Sequence, residues 1–114
     1  MKKILPRLAA PFLMATLSLP AVAQDVPVGD PGAGSEKAYT CLGCHGVEHY
    51  VNVYPSYHVP RIAGQHAEYL TAALQAYRAG TRSHQTMQAN AGLLTDQDIA
   101  DIAAWLSGLG NPSP

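Results

Sequence analysis

The sequence has few charged residues and few large aromatic ones other than tyrosine. Only 13% of its 114 residues are charged, and it contains one tryptophan and one phenylalanine. Because 47% of the residues are hydrophobic, the composition excludes the high charge and low hydrophobicity of disordered chains. The length points to one domain. Cysteine is also scarce, and a bridge between the only two, Cys41 and Cys44, would constrain little of the unfolded chain.

The sequence also lacks an apolar run of membrane-spanning length. The run Leu8–Leu19 has twelve residues and is interrupted by Pro11, whereas a spanning helix needs about 20. Three basic residues precede it, and Ala21–Ala23 forms a small-x-small site after it. This pattern predicts a secretory signal peptide over residues 1–23, cleaved before Gln24, and therefore a soluble protein exported to the periplasm.

Positive charge is scarce once this segment is removed. Four basic and eight acidic residues remain, a net charge of −4 with histidine neutral, which makes nucleic acid a poor partner. We expect a flexible leader over residues 24–33, a folded domain over 34–110 and a short tail over 111–114. Such a small exported domain needs additional stabilisation, for example from a cofactor.

Helical periodicity predicts three main helices and no strands. The first runs from about Gly34 to His45 with Ser35 as its N-cap, the second lies between Gly64 and Gly80, and the third runs from Thr95 to about residue 107. The third helix carries a buried stripe of Ile99, Ile102, Ala103 and Leu106. Residues 46–61 and 81–92 are predicted to be loops. An all-α fold with loops this long must enclose something.

Two thiols and a histidine occur within five residues, as Cys41-x-x-Cys44-His45. This is the attachment signature of c-type haem. Thiols one helical turn apart can add to the two vinyl groups on one porphyrin edge, and the next residue then lies under the iron. His45 would bind iron through Nε2, while its Nδ1–H donates to a backbone carbonyl of the following loop.

Three other uses of these residues compete with haem. A structural zinc site would need a second tight pair of ligands, which is absent from the sequence. A thioredoxin-like redox pair would need a βαβ context, and a structural disulfide would leave His45 unused. Export also favours haem, because bacterial c-type attachment takes place outside the cytoplasm.

The identity of the second axial ligand decides what the iron can do. Met1 and Met14 lie in the predicted signal peptide, so Met87 is the methionine that remains. It lies in the polar loop before the third helix, where a methionine is poorly placed to fill a core. We therefore predict Met87 as the ligand. The alternatives are three histidines of the mature chain: His84, His58 and His49.

Four segments in this order resemble a class I cytochrome c, and especially one half of the bacterial dihaem cytochromes c. They are Cys41–Gly46, Pro60–Gln65 leading into Tyr69 and Leu70, Met87, and Leu94–Leu106. The resemblance implies a class I cytochrome c fold wrapped around one covalently bound haem c. It also implies His45 and Met87 as the axial pair of the iron, and the Pro60 carbonyl as the acceptor for His45.

This resemblance implies a one-electron carrier rather than an enzyme. Its partners would be redox proteins, a dehydrogenase or reductase upstream and an oxidase or reductase downstream, and the carrier would be a monomer or weakly associating. Two alternatives remain: a haem sensor or peroxidase-like protein with a labile sixth ligand, and a subunit of a larger periplasmic oxidoreductase. The chain departs from the family in its single haem motif and its longer, tyrosine-rich loop over residues 47–59.

Overall fold

Five helices and one short β-hairpin form the part of the chain that the computed structural model describes, residues 27–54 and 56–110. In chain order the elements are α1 (Pro31–Lys37), α2 (Tyr39–His45), β1 (Val51–Val53), β2 (Ser56–His58), α3 (Ala67–Arg78), α4 (Gln85–Ala91) and α5 (Asp96–Gly108). The prediction of a mainly helical fold is confirmed. The predicted signal peptide and the tail over 111–114 lie outside the described residues. Within those residues, no helix is both long and apolar enough to cross a bilayer.

The prediction that strands are absent is wrong, because β1 and β2 pair as an antiparallel hairpin. Val51 stands opposite His58, and Val53 stands opposite Ser56. Each strand has three residues, too few for an alternating pattern to stand out in a sequence. The segment between α2 and α3 is therefore partly a hairpin rather than an irregular loop.

The predicted loop over 81–92 contains a helix, α4. His84 is its N-cap, and Gly92 follows its last residue. Ala91 is the buried residue of this short helix, so it has no apolar stripe of the kind that identifies an amphipathic helix. This is why the segment looks like a polar loop in the sequence.

The first predicted helix is in fact two helices, and it begins earlier than predicted. Asp30, not Ser35, is the N-cap of α1, because its carboxylate accepts the N–H groups of Gly32 at 2.7 Å and Ala33 at 3.4 Å. Pro31 then takes the first helical position, which suits a residue without an N–H. Residues 31–33, predicted to belong to the leader, are therefore helical. Ala38 separates α1 from α2.

Helix α5 forms the centre of the core, as its predicted stripe requires. Ile99, Ile102 and Leu106 are fully buried, and Leu70 of α3 packs in one cluster with Ile102 and Leu106. The helix begins with a capping box in which Thr95 and Asp98 satisfy each other's backbone N–H groups. The predicted helix with Thr95 as its N-cap is confirmed. It could be predicted because its cap and its apolar stripe are local features of the sequence.

Helix α1 crosses α5 at very close range. A Cβ atom added at Gly34 would lie 2.0 Å from the carbonyl oxygen of Asp101 and 2.9 Å from the Cβ of Trp105. The crossing therefore requires a residue without a side chain at position 34. Since α2 follows α1 after one residue, this crossing also fixes the position of Cys41 and His45.

A buried carboxylate secures the same crossing. Asp101 is 2% exposed and accepts hydrogen bonds from the backbone N–H of Asp30 at 2.8 Å and from Gln97 Nε2 at 2.7 Å. Lys37 Nζ lies 2.6 Å from Asp101 and 2.7 Å from Asp98. The backbone N–H of Asp30 contributes most to lowering the pKa of Asp101, followed by Lys37 and Gln97, and together they bring it to about 2.

This cluster predicts a loss of stability in acid. Because the pKa of Asp101 is lower in the folded protein, its stabilising effect is complete above about pH 4 and disappears as the pH falls towards 2. We expect Asp101→Asn to lower the melting temperature by several degrees at neutral pH and by much less near pH 2. Thermal unfolding across this range measures both values. Glu36→Gln, which changes an exposed acid of α1, is the control and should behave like the wild type; a difference independent of pH would contradict the prediction.

Candidate haem site

A cavity of about 500 Å³ lies between α2 and α4. The two helices lie on either side of it and, within the described residues, do not contact each other. The hairpin, the segment after it, and one side each of α3 and α5 complete the wall. Much of the wall is apolar, through Ile62, Leu70, Leu74, Ile102 and Leu106.

Helix α2 brings both thiols and the histidine of the C-x-x-C-H motif to this cavity. Cys41 also packs against the hydrophobic core, whereas Cys44 is exposed. Burial raises the pKa of the Cys41 thiol, so this thiol is protonated at neutral pH. The two cysteines are free and face the same space, as a shared covalent ligand would require.

The imidazole of His45 is oriented by the backbone. Its Nδ1 lies 2.6 Å from the carbonyl oxygen of Pro60. Since a carbonyl can only accept a hydrogen bond, Nδ1 must carry the proton, and Nε2 keeps a free lone pair for a metal. Pro60 has no N–H that could compete for other partners, and it follows the strand residue His58 by two positions.

Met87 enters the cavity wall from α4. It is partly buried, and its backbone N–H donates to Nδ1 of His84 at 3.4 Å, which caps the start of the helix. Of the alternative ligands, His58 and His84 also line the cavity, whereas His49 is not part of its wall. The structure thus brings together Cys41, Cys44, His45, Pro60 and Met87.

Sequence reasoning missed a cluster of polar aromatic contacts in the same wall. Tyr57 packs edge-to-face on His84 with ring centroids 4.7 Å apart, and the guanidinium of Arg82 lies 4.7 Å from the ring centroid of Tyr77. Arg82 also donates to the hydroxyl of Tyr69 at 3.4 Å. The spacing of Tyr69 and Tyr77, eight residues apart on α3, is a helical-face signal that could have identified part of this cluster.

The donor set of this cavity fits a haem. Two thiols, an imidazole with a free Nε2 and a soft thioether surround one apolar space, and these are the groups that c-type haem needs for its covalent bonds and its axial ligands. A helical fold enclosing such a cavity, with a C-x-x-C-H motif in the wall, defines the class of c-type haem proteins.

The chain belongs to the cytochrome c family, whose model matches residues 32–110. It is 43% identical over 82 residues to cytochrome c-554(548) of Halomonas halodenitrificans, covering 69% of this chain and 95% of that protein. It is 36% identical over 95 residues to cytochrome c4 of Pseudomonas aeruginosa, covering 83% of this chain but 45% of that protein. The chain thus spans less than half of that cytochrome c4.

A solved structure agrees with these relationships. Reduced recombinant cytochrome c4 from Pseudomonas stutzeri superposes with a TM-score of 0.55 at 25% identity, over 75% of this chain and 53% of that one. The predictions of a class I cytochrome c fold, of a resemblance to one half of the dihaem proteins and of covalently attached haem c with its iron are therefore confirmed. The family is one of electron-carrier haem proteins.

Proposed function

We propose that this protein is a periplasmic one-electron carrier whose single haem is attached through Cys41 and Cys44 and ligated by His45 and Met87. The observation that carries the proposal is the cavity that these four residues share, with His45 already oriented by Pro60. The predicted signal peptide supports the location, because haem attachment to such a motif takes place after export.

Each of these residues has a separate role. The two thiols hold the group covalently, and the Pro60 carbonyl keeps the proton of His45 on Nδ1, so that Nε2 faces the metal. Bound haem supplies a reversible one-electron exchange at its iron. His45 and Met87 would both ligate the iron and would leave no place there for a substrate, which favours a carrier over an enzyme.

The surroundings favour the reduced state. The thioether of Met87 is a soft, neutral ligand that prefers ferrous iron. The apolar side chains of the wall exclude water and thereby penalise the additional positive charge of the ferric state. Both effects raise the reduction potential relative to a bis-histidine site. Such a potential suits a carrier that accepts electrons from a dehydrogenase or reductase and passes them to an oxidase or reductase. Such redox partners dock through small, weak interfaces.

Carbon monoxide and potentiometry test this function. We expect the reduced holoprotein to titrate reversibly as a one-electron couple and to resist carbon monoxide, because Met87 as a ligand would compete with the gas for the iron. The measurements are a spectroelectrochemical titration and the rate of carbon monoxide binding after mixing. Fast, tight binding by the wild type would contradict the carrier and favour the sensor or peroxidase-like alternative.

A further inference from the structure

The hairpin turns one of its faces towards the cavity. Along β2 the exposure alternates, so that Tyr57 is half-buried between the exposed Ser56 and His58. Its cross-strand partner, Asn52, is likewise half-buried, and both line the cavity. The hairpin therefore directs the ring of Tyr57 inward, into the space that the axial ligands also face.

Tyr57 reaches the start of α4, the helix that carries Met87. Its ring packs edge-to-face on His84 at a centroid distance of 4.7 Å and an interplanar angle of 85°, and its hydroxyl lies 3.4 Å from Oγ1 of Thr86. Thr86 is the residue immediately before Met87. The hairpin and α4 are thus joined by two side-chain contacts next to the proposed ligand.

His84 transmits this contact to Met87 itself. It is the N-cap of α4, and its Nδ1 accepts the backbone N–H of Met87. The ring of Tyr77 from α3 also lies near His84, with ring centroids 6.4 Å apart and an interplanar angle of 76°. His84 therefore contacts an aromatic residue of the hairpin and one of α3, and its Nδ1 is hydrogen-bonded to the backbone of Met87.

A helix as short as α4 has little stability of its own. It has seven residues, well below the length at which isolated helices form in water, so its position depends on packing and on its cap. Within the described residues it packs against α3. The contacts from Tyr57 support it from the hairpin, in the cavity wall to which Met87 also belongs.

We propose that Tyr57 and His84 are positioning residues that hold Met87 in place, with the hairpin acting as a brace on α4. The inference rests on the proposed ligation by Met87. It assigns a function to the tyrosine-rich hairpin segment, and it gives His84 a role other than that of an axial ligand.

The experiment measures how fast carbon monoxide enters the reduced holoprotein, a rate limited by release of Met87. We expect Tyr57→Ala to raise it roughly three- to tenfold, the range for loss of one aromatic pair. His84→Asn keeps a side chain that can cap α4 but removes the ring, so we expect a similar rise. The effect of the double variant should fall short of the product of the two single effects, because both substitutions remove the contact between Tyr57 and His84.

Tyr54→Ala is the matched control. Tyr54 lies in the turn of the same hairpin and is 92% exposed, so its loss should leave the rate unchanged. The ferric absorption band that reports sulfur-to-iron charge transfer is recorded in parallel, and it should weaken in Tyr57→Ala and His84→Asn but not in Tyr54→Ala.

The outcomes separate this inference from the proposed ligation. If the wild type lacks the sulfur-to-iron band or binds carbon monoxide freely, the ligation by Met87 is wrong. If the wild type has the band and resists the gas while Tyr57→Ala behaves like Tyr54→Ala, the brace is wrong. If Tyr57→Ala yields no holoprotein, His84→Asn provides the test, and an unchanged rate of carbon monoxide binding in that variant overturns the inference.

Discussion

Replacing Met87 by alanine is expected to lower the midpoint potential of the holoprotein by on the order of 0.1 V or more, within the ~0.8 V that axial ligands span. The physical reason is that the thioether favours ferrous iron, and its removal withdraws that preference. The variant should also lose the sulfur-to-iron absorption band and bind carbon monoxide readily. Spectroelectrochemical titration and gas binding measure the three effects on one sample.

Gln85→Ala is the control for this substitution. Gln85 is exposed and lies in the first turn of α4, two residues before Met87, so its change tests whether altering the helix alone moves the potential. The expected potential is that of the wild type. An unchanged potential and spectrum in Met87→Ala would contradict the assignment of Met87, and His58 or His84, which line the same cavity, would then be the candidates.

The attachment motif was predictable because covalent chemistry makes it local. Two thiols must lie one helical turn apart and the histidine must follow at once, so five consecutive residues specify that wall of the cavity. Helix α5 was equally predictable, since its cap, its acidic first turn and its apolar stripe all lie within thirteen residues of Thr95.

The elements that the sequence did not predict depend on distant contacts. The N-cap of α1 is held by α5, because the backbone N–H of Asp30 donates to Asp101, 71 positions later, and no local pattern reveals this contact. Helix α4 has a single buried alanine, and the hairpin has two three-residue strands. The hairpin and the start of α4 meet through the rings of Tyr57 and His84, and such a contact has no periodicity along the chain.

Glycine at position 34 is expected to tolerate an added methyl group very poorly. A Cβ there would overlap the carbonyl oxygen of Asp101 at 2.0 Å and the carbonyl carbon at 2.6 Å, both backbone atoms that cannot rotate away. Helices α1 and α5 would have to separate, which would loosen the contacts of Lys37 and Asp30 with Asp101.

We therefore expect Gly34→Ala to lower the free energy of unfolding by about 3 kcal/mol or more, at the upper end of overpacking effects and a large share of the stability of so small a domain. For a domain of this size that corresponds to a fall in melting temperature of roughly 10 °C or more. Gly108→Ala is the control, since a Cβ at the end of α5 meets no atom within 4 Å. Because alanine favours helix over glycine, this control should be neutral or slightly stabilising. Equal melting temperatures for the two variants would contradict the prediction, because they would show that α1 and α5 can move apart at no cost. The close crossing would then not explain the position of α2, the helix that carries Cys41, Cys44 and His45.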